Sequence, residues 1–85
     1  MPKEPFSLEV EIDRNSPTPL HQQIADPLIN LIQSGAIEPG TKLEDEVSMA
    51  HRLHVSRPTA RRALETLVNR GLIVRRRGAG TAVAP

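Results

Sequence analysis

The apolar positions change period along the chain, and each change marks an element. Leu8, Val10 and Ile12 alternate with Glu9, Glu11 and Asp13, the period-two pattern of one short half-buried strand. Leu20, Ile24, Leu28, Leu31 and Ile32 step by four, four, three and one. That places them on one helical face and predicts a helix over 19–34. Thr18 is its predicted N-cap, Pro19 suits the first helical position, and Gly35 supplies the stop. Pro27 interrupts the pattern. An interior proline removes an amide donor at a cost of about 3 kcal/mol, which predicts a kink or break near Ala25-Asp26.

Glu38-Pro39-Gly40-Thr41 reads as a turn and 41–43 as a very short strand. A second helix is predicted over 46–53, capped by Asp45, with Val47, Ala50 and Leu53 as its inner stripe and Met49 alongside. His54-Val55-Ser56 breaks the pattern. Ser56 is a good N-cap because its hydroxyl can accept the Thr59 amide, and Pro58 is tolerated in a first turn. Ala60, Ala63, Leu64, Leu67 and Val68 give the clearest helical stripe, predicting a third helix over 57–70 that Gly71 ends. Leu72-Ile73-Val74 is β-rich, Arg75-Arg76-Arg77-Gly78-Ala79-Gly80 is a basic turn, and 81–84 returns as a strand. The predicted class is α+β, mainly α: a winged helix-turn-helix of three helices, a C-terminal β-hairpin wing and a short N-terminal strand. Residues 1–18 form an N-terminal arm and 19–85 the domain.

Length and composition narrow the function. Eighty-five residues make one small domain that buries roughly 60% of its unfolded surface, with room for one binding face but not for a two-lobed cleft. Cysteine is absent, which excludes a disulfide framework and a thiolate metal site. No apolar run approaches the roughly 18–20 residues of a membrane helix, and the acidic, proline-bearing start is unlike a signal peptide, so a cytoplasmic protein is expected. Phe6 is the sole aromatic residue, which argues against single-strand recognition by base stacking.

Charge adds what the near-neutral total hides. From His51 onward eight arginines face one acid, Glu65, whereas the first fifty residues hold nine acids and three bases. A half so basic is suited to a polyanion. The predicted third helix begins with Ser56, Arg57, Pro58, Thr59, Arg61 and Arg62. A helix about 10 Å across fits a major groove about 12 Å wide, and base edges are read from the N-terminal part of the second helix of such a motif. Arginine pairs with guanine through a bidentate contact. Arg57 and Arg61 are four apart and share a side, while Arg62 lies nearly opposite the apolar stripe. The wing 75–81 supplies Arg75, Arg76, Arg77, Gly78, Gly80 and Thr81. Its tip either meets a minor groove and backbone or simply keeps a sheet edge from pairing. A solvated helix face is the plain alternative for the arginines; cap, arginines and basic hairpin together favour double-stranded DNA. A winged helix whose basic face meets an acidic protein is the other reading. His51 and His54 are three apart without a third ligand, so no metal or cofactor is expected, and no nucleophilic triad, phosphate loop or paired-carboxylate arrangement points to an enzyme.

Several ordered blocks resemble the DNA-binding head of the GntR family. They are Pro19-Leu20-His21-Gln22-Gln23-Ile24, Ser34-Gly35, Pro39-Gly40-Thr41-Lys42-Leu43, 55–64, Gly71-Leu72-Ile73 and Gly78-Ala79-Gly80-Thr81. The lead-in Ile12-Asp13-Arg14 and Ser16-Pro17-Thr18-Pro19-Leu20 is most like the HutC, MocR and YtrA-type branches. The resemblance implies a bacterial transcription regulator, a repressor by expectation, that binds operator DNA as a homodimer. It also implies a small-molecule effector bound by a separate C-terminal domain that these residues do not include. Carried over by position, Arg57 and Arg61 would meet bases or nearby phosphates, Ser56 and Thr59 phosphate, and Gly78 would sit at the wing tip. One block departs. Where the family usually has Pro-Ser-Glu-Arg, this chain has Glu44-Asp45-Glu46-Val47. The glutamate is kept, the arginine is lost, and the added acids are expected to repel phosphate.

Overall fold

The computed structural model describes residues 5–76, 78 and 80–85. Its elements run α1 (Leu20–Gln33), β1 (Lys42–Leu43), α2 (Glu46–Leu53), α3 (Arg57–Asn69), β2 (Ile73–Arg76) and β3 (Gly80–Val83). The predicted class holds: three helices packed beside a small antiparallel sheet of order β1-β3-β2. Ile24 and Leu28 of α1, Met49 of α2, Leu67 of α3, Ile73 of β2 and Val83 of β3 are the largest fully buried side chains, so the apolar stripe of every helix meets one core.

Pro27 neither breaks α1 nor shortens it; the helix is continuous from Leu20 to Gln33. Ile24 and Ala25 before it and Leu28 and Ile29 after it are all buried. Each large side chain so buried contributes about 1.5–3 kcal/mol, enough together to offset the proline. The cap is also displaced from its predicted place. Pro19, not Thr18, is the N-cap, and it makes no side-chain hydrogen bond. Its carbonyl instead accepts the amides of Gln22 and Gln23 at 3.0 and 3.1 Å. At the other end Gly35, at φ +82°, turns the chain, and the Ile37 N–H returns to the Leu31 carbonyl at 3.1 Å.

The predicted N-terminal strand is replaced by a single parallel bridge between Phe6 and Leu43. The Phe6 N–H donates to the Lys42 carbonyl at 2.8 Å, and its carbonyl accepts the Glu44 N–H at 3.1 Å. Beyond that point the alternation survives as burial without a ladder. Leu8 is buried and Val10 and Ile12 are half-buried, while Glu9, Glu11 and Asp13 are exposed. Period-two patterning reports which side faces the core; it does not supply a neighbouring strand to pair with. The rest of the arm is held by side chains. Gln23 of α1 accepts the Asp13 N–H at 2.8 Å and donates to the carbonyls of Asp13 and Thr18, each at 2.9 Å.

Candidate nucleic-acid interface

The helix-turn-helix is set by two side-chain caps. The Asp45 carboxylate accepts the Ser48 N–H at 2.7 Å and starts α2; that bond is the main reason its pKa lies below the usual carboxylate value. The Ser56 hydroxyl accepts the Thr59 N–H at 3.2 Å and starts α3, with Pro58 in the first turn. Between them His54 takes the left-handed conformation at φ 56° and ψ 44°, which a non-glycine residue seldom adopts. Its carbonyl accepts a hydrogen bond from the Arg14 guanidinium, so the arm reaches the turn of the motif.

On α3, Ala60, Ala63, Leu64 and Leu67 are buried. Arg57, Arg61 and Arg62 are exposed, as is Pro58; Thr59 is half-buried. The Ser56 and Thr59 hydroxyls hydrogen-bond to each other at 2.8 Å. The structure therefore gathers the predicted Ser56, Arg57, Pro58, Arg61 and Arg62 on the solvent side of one helical start, with Thr59 half-buried beside them. Such a start also offers free amides and the positive end of the helix dipole to an anion.

The wing differs from its predicted boundaries. Strand β2 continues through Arg75 and Arg76, where the sequence pattern predicts the turn, and Arg76 pairs with Gly80 while Arg75 pairs with Thr81. Both arginines are exposed. Gly80 sits at φ +80°, a conformation that favours glycine, and a Cβ there would lie 3.2 Å from the movable Lys42 Cε. Gly78 is exposed at φ +79°, whereas Arg77 and Ala79 lie outside the described residues. Strand β1 joins the wing by pairing Lys42 with Ala82 and Leu43 with Thr81. The very short strand is thus the third strand of the wing sheet, a partnership its two residues do not announce.

The three acids of the block Glu44-Asp45-Glu46 have separate partners. Only Asp45 caps α2. Glu44 is buried at 7% exposure and forms an ion pair with Arg52 in the last turn of α2, through both carboxylate oxygens. That pairing is the main cause of a raised Arg52 pKa, with Glu9 adding a smaller coulombic contribution. Glu46 accepts a hydrogen bond from the Arg61 Nε–H at 3.2 Å. No short-range sequence rule links Glu44 to Arg52 or Glu46 to Arg61, because both pairs depend on how elements pack. Val47, expected in the inner stripe, is 49% exposed and the one exposed large hydrophobic among the described residues. Met49, Ala50 and Leu53 form the buried stripe; this i, i+1, i+4 set turns Val47 to the flank.

A capped two-helix motif with an arginine-bearing second helix, backed by a basic antiparallel wing, defines the winged helix-turn-helix class. The family model for bacterial regulatory proteins of the gntR family matches residues 20–83. The chain belongs to the GntR family. It is 39% identical over 75 residues to the HTH-type transcriptional repressor NagR of Bacillus subtilis, which covers 88% of this chain and 31% of that protein. It is 40% identical over 68 residues to the histidine utilization repressor of Pseudomonas aeruginosa, covering 80% of this chain and 27% of that one. The chain thus spans under a third of the length of either curated relative. Among solved structures it resembles YtrA from Sulfolobus acidocaldarius, a GntR-family transcription factor, with TM-score 0.80 and 37% identity over 89% of this chain and 80% of that one. It also resembles the AraR DNA-binding domain crystallised with operator ORX1, with TM-score 0.76 and 32% identity over 93% and 99% of the two chains.

Proposed function

We propose that this chain is the sequence-specific, double-stranded-DNA-binding head of a bacterial transcription regulator. The observation that carries this is the capped start of α3, where Arg57, Arg61 and Arg62 stand exposed beside the Ser56–Thr59 hydroxyl pair. Helix α3, within 57–70, enters the major groove; Arg57 and Arg61 read bases, and Ser56, Pro58, Thr59 and Arg62 fit the flanking backbone. The wing 75–81 lies along the minor groove or backbone, with Arg75, Arg76, Arg77, Gly78, Gly80 and Thr81 as its contacts. Likeness to a domain solved on operator DNA across nearly its whole length supports the assignment.

Beyond the head, the regulator is proposed to act as a cytoplasmic repressor and a homodimer, with its effector bound by a C-terminal domain. The repressors among its relatives support the sign of regulation. Among the described residues no helix is long and apolar enough to cross a membrane. The division into an arm over 1–18 and a domain over 19–85 belongs to the same proposal. Selection of duplexes from a random pool at about 0.15 M salt, where screening reduces purely coulombic binding, tests it. An enriched motif that Arg57→Ala or Arg61→Ala erases supports the assignment. Binding without enrichment overturns sequence reading by this head alone, and no binding moves the basic face to an acidic protein partner.

A further inference from the structure

His54 stands where the chain turns from α2 into α3. The Val55 N–H reaches back to the Ala50 carbonyl at 3.0 Å and the His54 N–H to the His51 carbonyl at 3.4 Å, the closure by which a helix ends on a left-handed residue. That place favours glycine, because a side chain on a left-handed backbone crowds the following carbonyl. Here it holds histidine, at φ 56° and ψ 44°, the one non-glycine residue of positive φ among those described. Ser56, the N-cap of α3, follows two residues later. The backbone angles at His54 therefore set the direction in which α3 leaves the turn.

The carbonyl of this residue is held from outside the motif. It accepts a hydrogen bond from the Arg14 guanidinium, and a charged donor makes a stronger bond than a neutral one. Arg14 is itself presented from a fixed point. Gln23 of α1 accepts the N–H of Asp13 at 2.8 Å and donates to the carbonyl of the same residue at 2.9 Å. The Asp13 carboxylate in turn accepts the Asn15 N–H at 2.9 Å, which joins the residues on either side of Arg14. A hydrogen-bonded path thus runs from α1 through Gln23, Asp13 and Arg14 to the His54 carbonyl, and along two residues of chain to the cap of α3. We propose that Arg14 is a positioning residue for DNA reading: it stabilises the left-handed turn at His54 and so fixes the angle at which α3 presents Arg57 and Arg61. This rests on the DNA-binding assignment above, with Arg14 acting through residue 54 and not by touching base or phosphate.

The test is a double-mutant cycle between residues 14 and 54. Glycine adopts the left-handed conformation without penalty, so a turn carrying His54→Gly holds itself and has no need of the arm. Affinities for the selected motif and for random duplex are measured at several salt concentrations for wild type, Arg14→Ala, His54→Gly and the double variant, with folding checked by helical circular dichroism. Arg14→Ala is expected to weaken binding to the motif about fivefold, the factor carried by one net hydrogen bond, and to leave random duplex and the salt slope nearly unchanged. In the His54→Gly background the same substitution should change motif binding by less than about twofold, the scatter of independent sites. No loss in either background, or a loss of the same size in both, overturns action through the turn. Motif and random duplex weakened alike, with a salt slope shallower by about 0.9, would make Arg14 a phosphate contact instead. Amide exchange of Val55, whose N–H closes the turn on Ala50, reads the link without DNA: Arg14→Ala should speed it and the double variant should restore it. Failure of the wild type to select any duplex overturns the DNA assignment and the reading role with it, while exchange at Val55 still shows whether Arg14 holds the turn.

Discussion

Glu46 in the first turn of α2 accepts a hydrogen bond from the Nε–H of Arg61 in α3, at 3.2 Å, across fifteen residues of sequence. The contact uses the Nε–H of the guanidinium, and among the described residues the terminal amino groups, which can pair with O6 and N7 of guanine, make no hydrogen bond. Both partners are partly solvated, Arg61 at 50% exposure and Glu46 at 27%. Such a pair contributes under about 1 kcal/mol to folding. Its larger consequence is orientation.

Replacing Glu46 by alanine is therefore expected to leave stability within about 1 kcal/mol of wild type. The removed negative charge should raise affinity for random duplex, and the unheld Arg61 should accept more than one base at its position. Duplex selection read side by side for the two proteins checks this. An unchanged motif would mean that Arg61 is oriented by the DNA alone.

The second ion pair has the opposite weighting. Glu44 is 7% exposed and Arg52 34%. Removing Arg52 leaves a buried carboxylate without its partner, a change that costs about 3 kcal/mol or more. Removing Glu44 leaves an arginine that can turn to water, so Glu44→Ala is expected to cost less, about 1–2 kcal/mol. Urea unfolding of the two variants gives the order directly. Equal losses would show that both groups are equally able to reach solvent.

Asp45 carries a pH signature. Its pKa lies below the usual carboxylate value, chiefly because its carboxylate accepts the Ser48 N–H. A carboxylate whose folded pKa is depressed contributes stability that is fully present above its unfolded value and is lost as pH falls through the folded value. The loss thus falls below about pH 4, where unperturbed aspartate titrates. Asparagine caps a helix nearly as well and does not titrate. The stability advantage of wild type over Asp45→Asn should shrink as pH falls below about 4, as read from thermal melts, while Asp45→Ala should lose about 1 kcal/mol at neutral pH.

These caps explain why the motif is the most legible part of the chain. Asp45 and Ser56 each precede a helix and bond the amide three residues on, a local rule visible without any fold. Helix α2 over 46–53 follows directly, and α3 to within a residue. The exposure of Val47 is hidden in the sequence because a three-residue step through Ala50 and Leu53 fits a helix as well as the buried Met49, Ala50, Leu53 set. The continuity of α1 through Pro27 is not legible locally, because the burial of Ile24, Ala25, Leu28 and Ile29 that offsets the lost donor exists only in the packed fold. The two acid–arginine pairs lie eight and fifteen residues apart and exist only once α2 is packed. Exposure of the arginines was readable from sequence, but the partner that steadies Arg61 was not.

The wing offers a backbone test. Gly80 sits at φ +80° and faces Lys42 so closely that a Cβ would lie 3.2 Å from its Cε. Alanine there adds a left-handed penalty of about 1–2 kcal/mol; the lysine stem can move aside, so the conformation dominates over the clash. Gly80→Ala should lower the melting temperature and increase amide exchange of Arg76, the residue it opposes, while amides of α3 keep their protection. Uniform loss of protection would mean that wing and helices unfold as one unit.

Arginines on helix and wing should fail in different ways. Arg61 stands on the face assigned to base edges, so Arg61→Ala is expected to cost about 1–3 kcal/mol on the preferred duplex and to relax preference at one base position. Random duplex should be much less affected, because a lost base contact removes discrimination rather than general attraction. Arg76 stands in β2, exposed and paired through its backbone with Gly80, and the proposed wing contact puts its side chain on phosphate. Arg76→Ala should weaken preferred and random duplexes by the same factor and make the slope of log affinity against log salt shallower by about 0.9. Titrations at three or more salt concentrations with both duplexes separate the two roles. A shallower slope for Arg61→Ala with its motif intact would place that side chain on the backbone and move base reading to Arg57.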